Sequence, residues 1–189
     1  MRPALHIAPL LALPADIEEL RIEAAGEGFR FVDKLITEWH SGTNRFAQAG
    51  EIFLGACRSD ELIAIGGLNR DPYAGQAWIG RLRHLYVRKS ERRSGVGSTL
   101  VRQLLRHAEG IFHLVRLRTG TREAAAFYVG LGFCPVQDKA ATHVMLRRQS
   151  LGPSVQNLDL CSEGSSDLER RFASGGLSQL RANTRRIRT

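Results

Sequence analysis

Cysteine is scarce: Cys57, Cys134 and Cys161 are the three in 189 residues. No pair is spaced as Cys-x-x-Cys, so a disulfide framework and a structural zinc site are not expected, no metal is expected, and a reducing, cytoplasmic compartment fits best. Lysine is scarcer still, relative to the total: Lys34, Lys89 and Lys139 are three of 27 basic residues, leaving 24 arginines. That bias points to no particular partner. Aromatic residues make up 7% of the chain, and no basic stripe interleaves with them. A dedicated nucleic-acid module is therefore not expected despite a net charge of +8. No apolar run is long enough for a membrane span, so no membrane partner is expected. The first fifteen residues carry one Arg and an apolar stretch, as a signal peptide would, but Pro9, Pro14 and His6 interrupt it. They read instead as a first strand and the entry to a helix.

What is present is an alternation of periodicities. Asp16 with Glu19 three residues on resembles a capping box. Phe31, Val32, Leu35, Ile36 and Trp39 fall on one helical face, which Ser41-Gly42 ends. The runs Ile52 to Cys57 and Leu62 to Gly67, separated by Arg58-Ser59-Asp60-Glu61, read as a hairpin. Trp78 to Val87 is a long strand. Val96, Leu100, Val101, Leu104, Leu105 and Ala108 form a second helical face. A strand from Phe112, a helix capped by Thr121 and closed by Gly132, and two short strands complete the order β-α-α-β-β-β-α-β-α-β-β. This predicts an α/β (α+β) domain, with a mixed, mostly antiparallel sheet flanked by helices on both faces. Residues 1–149 are expected to form that domain. Residues 150–189, rich in Ser, Gly, Asn and Arg, are expected to be a polar, flexible tail.

Chemistry concentrates between Leu85 and Leu100. A strand runs into a glycine-containing loop, and the loop opens an amphipathic helix. The helix start offers unpaired N–H groups and the positive end of the helix dipole. Gly95 and Gly97 let a ligand approach the backbone, and Arg88, Lys89, Arg92 and Arg93 add positive charge. This pattern suits a phosphate or pyrophosphate. It is neither a P-loop, since Gly-x4-Gly-Lys-Ser/Thr is absent, nor a Gly-x-Gly-x-x-Gly dinucleotide loop, since Ser98-Thr99-Leu100 follows Gly97.

Arg92-Arg93-Ser94-Gly95-Val96-Gly97 resembles the Arg/Gln-x-x-Gly-x-Gly/Ala signature of the GNAT superfamily of N-acetyltransferases. Leu85-Tyr-Val87 before the loop, Thr121 to Tyr128 as the penultimate helix, and Leu131-Gly-Phe133 closing it are similar to that family's arrangement. The resemblance implies acetyl-CoA as co-substrate and direct attack by an amine in a ternary complex. Leu85 and Val87 would offer backbone to the pantetheine arm, and the N–H near Val87 would stabilise the oxyanion. Arg92, Arg93, Ser94, Gly95, Val96, Gly97 and Ser98 would cradle the pyrophosphate. Thr121 stands where the family often has Asn, which weakens that contact. Tyr128 would protonate the departing thiolate, as a phenol can. The acceptor would be a small-molecule amine or a protein amino group.

The general base is not evident. By strand alternation Arg81 and Arg83 share the face of Val87, and neither can act as a base. His84 lies opposite unless a bulge resets the alternation. It is carried as a candidate base, with Glu51, Glu27, His40 and His143 behind it. Arg81 and Arg83 are candidates for binding an acceptor carboxylate or phosphate. The segment Glu23 to Gly50, with Phe29, Arg30, Trp39, Asn44 and Arg45, is expected to shape the acceptor pocket. An alternative is an acetyl-CoA-binding sensor or interaction module without turnover, and a homodimer is compatible with the sequence.

Overall fold

The computed structural model describes residues 3–146. The expected tail, 150–189, lies outside the described residues. Among them two compact units are distinguished, one running to Arg116 and one of Leu117–Leu146.

The first unit begins with β1 (His6–Pro9), α1 (Ile17–Gly26) and α2 (Phe31–Ser41). The sequence pattern places α2 well: Val32, Leu35 and Trp39 are its buried residues, and Gly42 caps it in the left-handed region at φ 76°. The cap of α1 differs from expectation. Asp16 makes no cap bond, because it is already helical at φ −72°, ψ −1°, whereas a side-chain cap needs an extended residue. Its Oδ2 instead accepts from the Leu62 N–H at 2.9 Å, tying α1 to the sheet.

β2 (Ile52–Arg58) and β3 (Glu61–Arg70) form the hairpin. Ser59 and Asp60 both have positive φ, 46° and 66°, which is the signature of a tight primed turn. β3 runs three residues past the expected end at Gly67. β4 (Ile79–Val87), α3 (Val96–His107) and β5 (Leu114–Leu117) follow. The strands lie in the order β1-β2-β3-β4-β5, antiparallel throughout except for the last pair. The helices take opposite faces. A Cβ on Gly66 would meet Leu100 and Leu104 of α3, whereas one on the next residue, Gly67, would collide with Phe46, which follows α2.

One irregularity sets the geometry of the site. Ile65 pairs with Tyr86 but Gly67 pairs with Arg83, so His84 and Leu85 together oppose Gly66. This is a β-bulge, and His84 carries it at φ 54°. The strain is tolerable because His is among the residues that visit the left-handed region.

The second unit holds α4 (Arg122–Gly130) and the antiparallel pair β6 (Cys134–Pro135) and β7 (His143–Leu146). Cys134 lies in β6, and in the first unit Cys57 lies in β2 as a free thiol.

Candidate active site

The bulge overturns the face assignment made from alternation. Arg83, His84 and Tyr86 all turn toward the α1–α2 face: Arg83 reaches Glu38, His84 reaches Phe31, and Tyr86 reaches Glu23 and Glu27. Leu85 takes the α3 face, beside Leu100 and Leu104. Val87, two residues on, follows Leu85. Arg83 and Val87 therefore do not share a face.

The bulge also arranges the backbone. The Arg88 N–H donates to Ile63 O on β3 at 2.8 Å. Peptide groups alternate in direction along a strand, so Leu85 and Val87 turn theirs to the opposite edge, toward β5. There the ladder pairs only Ile79, Gly80 and Arg81 with Leu114, Val115 and Arg116. Beyond Arg81 that edge of β4 has no register partner among the described residues. The Val87 carbonyl is taken by Arg92 Nε at 3.0 Å, which leaves the Val87 N–H facing the gap.

Past β4 a single 3₁₀ turn, Lys89–Glu91, leads into the loop. Arg93 at φ 61° and Gly95 at φ 87° fold the loop back onto the first turn of α3. A Cβ at Gly95 would meet nothing within 4 Å, so the space over the helix start is open. Ser94 Oγ donates to Glu91 O at 2.6 Å, bracing the loop. Val96 is buried as its anchor, while Gly97 and Ser98 are half-buried in the first turn. Not all the expected cations face this space. Arg92 forms a forked ion pair with Glu27 and lies over the Tyr86 ring at 5.4 Å. Arg88 pairs with Glu19 and Glu61. Lys89 and Arg93 are exposed and have no ion pair among the described residues.

A cavity of about 410 Å³ opens where α2, its following loop and the ends of β3 and β4 meet. Glu38, Asn44, Glu51, Asn69, Arg70 and Arg83 line it. Arg83 Nη2 donates to both carboxylate oxygens of Glu38, at 3.1 and 3.2 Å. Burial alone would raise the Glu38 carboxyl, but Arg83, His84 and Lys34 outweigh it and hold it below its ordinary value. Glu38 was not singled out from sequence, although it stands three residues after Leu35 and so falls on the inward side of α2. Of the expected pocket residues, Asn44 lines the cavity. Trp39 is core, Phe29 packs against that core, Arg45 Nε donates to Trp39 O, and Arg30 pairs with Asp33 on the surface.

His84 and Arg81 are placed elsewhere. His84 Nδ1 stands 2.9 Å from Phe31 O; a carbonyl only accepts, so Nδ1 carries the proton. Its Nε2 lies 3.7 Å from Glu38 Oε2. Burial, together with the Arg83 charge, pushes the imidazole down to about 4. Arg81 is 6% exposed. It donates to Asp71 Oδ2 at 3.2 Å and stacks on Tyr73, while Arg116 approaches the same oxygen at 3.1 Å. Neither His84 nor Arg81 lines the cavity. Glu27 is engaged by Arg92 and Tyr86, and His40 is exposed.

In the second unit the Thr121 hydroxyl caps α4, accepting from Ala124 N at 3.1 Å. Tyr128 is buried, edge-on to Phe127 and Phe133. Burial raises its phenol above the ordinary value, so it is fully protonated at neutral pH. His143 is buried with Nδ1 2.9 Å from Thr142 Oγ1, and burial lowers it.

The unit is a mixed α/β fold whose open parallel edge runs into a helix start, a geometry chemically suited to an extended, anionic ligand. The sequence matches the acetyltransferase (GNAT) family over residues 15–133, and the chain belongs to that family. No curated protein matches it in sequence. Among solved structures it resembles an assigned acetyltransferase from Exiguobacterium sp. 255-15, at 26% identity and TM-score 0.68, over 76% of this chain and 93% of that one. An acetyltransferase from Streptococcus agalactiae 2603 (14% identity, TM-score 0.61, 76% and 98% covered) shares the fold. So does Ard1 from Thermoplasma volcanium (23% identity, TM-score 0.56, 76% and 97% covered). Among the described residues no helix is long and apolar enough to cross a membrane, and no group of three or more ligating side chains could hold a metal.

Proposed function

We propose that the protein transfers an acetyl group from acetyl-CoA to an amine that enters the cavity lined by Glu38 and Arg83. The observation that carries this reading is the edge of β4 from Leu85 to Val87, which has no register partner among the described residues and is continuous with the open helix start at Gly95. The fit with acetyl-CoA is physical. Leu85 and Val87 offer a strand edge to an amide-bearing arm, as a β-strand would. The N–H groups from Gly95 to Ser98 suit a pyrophosphate, with Lys89 and Arg93 beside it. Thr121 can still donate its hydroxyl hydrogen while its oxygen caps α4.

Acetyl-CoA supplies the activated acyl carbon. In this reading the Val87 N–H stabilises the carbonyl oxygen as charge builds on it, usually the largest contribution in acyl transfer. Tyr128 holds the proton that the departing thiolate needs. No strong base faces the cavity: Glu38 is clamped by Arg83, and His84 is held near 4. In this reading the amine releases its proton to water.

Calorimetric titration with acetyl-CoA tests the reading first, with saturable one-to-one binding expected. Thiol release with an amine panel tests turnover. There kcat/KM should rise tenfold per pH unit below the amine's own pKa. Binding without thiol release from any amine would instead establish a sensor module, a reading that the clamped Glu38 and weakly basic His84 favour.

A further inference from the structure

Resting on the acetyl-transfer reading above, we infer that the acceptor is a compact zwitterion, a free amino acid or close analogue whose amine and carboxylate are both gripped in the 410 Å³ cavity. The four charged side chains of the lining, Glu38, Glu51, Arg70 and Arg83, cancel. The two signs are not all spent on each other. Arg83 and Glu38 pair. Glu51 does not: among the described residues its two oxygens accept only from backbone N–H groups, Gln48 N at 3.2 Å and Arg70 N at 3.1 Å. Arg70 is exposed, and its guanidinium has no ion pair among the described residues. One cation and one anion of the lining are therefore available to a ligand.

Two amides repeat this duality. Asn44 Oδ1 accepts from Phe46 N at 3.2 Å. That bond fixes the amide's orientation and leaves Nδ2, a donor, buried without a partner among the described residues. Asn69 is 6% exposed, and its Oδ1, an acceptor, is also without a partner among the described residues. A buried polar atom left unpaired is costly, and such atoms call for a ligand or water. By charge and by donor or acceptor character, an ammonium would match Glu51 and Asn69 Oδ1, and a carboxylate would match Arg70 and Asn44 Nδ2. A polyamine answers only the first pair. The amino terminus of a protein carries its nearest neighbouring group as an amide, which leaves Arg70 unmatched.

Two assays test this together. Thiol release is followed with the twenty free L-amino acids, with the carboxamides of the best of them, and with putrescine. Acetyl-CoA and the best amino acid are titrated separately by calorimetry. The expected result is a free acid favoured at least tenfold in kcat/KM over its carboxamide and over putrescine. Arg70→Ala should raise KM for the acid at least tenfold while leaving KM for the carboxamide and for acetyl-CoA unchanged. Turnover of the carboxamide or putrescine as fast as the acid overturns the proposal and leaves acetyl transfer standing. So does an Arg70→Ala effect equal on acid and carboxamide. Absence of acetyl-CoA binding overturns the acetyl-transfer reading instead. The cavity is then judged by amino-acid titration alone: saturable binding lost in Arg70→Ala and Glu51→Gln sustains a zwitterion site, and no binding removes it.

Discussion

Burial of a neutral imidazole in the bulge makes the protein acid-sensitive by an amount the structure sets. His84 is pushed from the ordinary 6.5 down to about 4. Its surroundings explain the direction. The ring is buried, Arg83 on its own strand repels a positive charge, and Lys34 on α2 adds to that repulsion. The Phe31 carbonyl and the Glu38 carboxylate pull the other way and lose. Because the folded pKa is depressed, the unfolded chain binds the extra proton first. Stability is therefore full above pH 6.5 and is lost as pH falls toward 4. Linkage gives a loss of about 2 kcal/mol by pH 5 and about 3 kcal/mol below pH 4. Glu38, whose carboxyl is lowered in the fold, contributes a loss of the same sign, but only below the ordinary carboxylate range. Between pH 7 and pH 5 His113 and His143, also lowered by burial, contribute losses of the same sign, so His84 is isolated by comparison with a variant that lacks its imidazole.

The assay is urea unfolding of the wild type and His84→Asn across that window. Asn tolerates the left-handed backbone and does not titrate. The wild type should lose about 2 kcal/mol more than the variant between pH 7 and pH 5. Parallel curves would refute the buried, neutral imidazole and would mean that His84 is accessible to solvent.

Three further outcomes bear on other parts of the molecule. Gly97→Val places a branched side chain over the first turn of α3 and should weaken acetyl-CoA binding by roughly 10- to 100-fold, the worth of one charge-assisted hydrogen bond; unchanged affinity by calorimetry would remove the loop from the cofactor site. Tyr128→Phe should lower kcat by roughly 10²-fold or more without changing acetyl-CoA affinity, and full activity would end its role as proton donor. Asp71→Asn leaves the buried Arg81 and Arg116 without their shared carboxylate. It should cost about 3–5 kcal/mol in chemical denaturation, and a loss below about 1 kcal/mol would show the two guanidiniums balanced elsewhere.

Much of the architecture is legible because it rests on local rules. The face Val32, Leu35, Trp39 makes α2, the Ser59-Asp60 turn makes the hairpin, and Gly95 marks where a strand gives way to a helix. The cofactor loop is readable for the same reason, its residues being contiguous. The acceptor side is not, since its groups come from α2, the loop after it, β3 and β4. Glu38 looks like an ordinary helix carboxylate until Arg83 is brought to it by the sheet. Arg70 and Asn69 are hidden by Gly66-Gly67, which reads as a strand end but is a close approach inside a longer strand. Asp16 is misread because its backbone is already helical. The bulge leaves no mark in the sequence, since a His rather than a Gly carries the positive φ.

That bulge joins the two halves of the site, and the coupling can be tested at one residue. Upstream of His84, β4 sends Arg83 to the cavity; downstream, the extra residue turns the peptides of Leu85 and Val87 to the open edge. A change that straightens the strand must disturb both. His84→Val does so, because a β-branched residue is a steric outlier at φ 54°. His84→Asn removes the same ring and the same packing but accepts the backbone. Comparing the two cancels the loss of the imidazole and leaves the conformation. His84→Asn should keep acetyl-CoA affinity close to wild type, whereas His84→Val should weaken acetyl-CoA binding and raise the acceptor KM together, each by roughly tenfold for about 1–3 kcal/mol of backbone strain. A folded His84→Val enzyme that lost only one of the two would break the link between the bulge and the shared geometry of donor and acceptor.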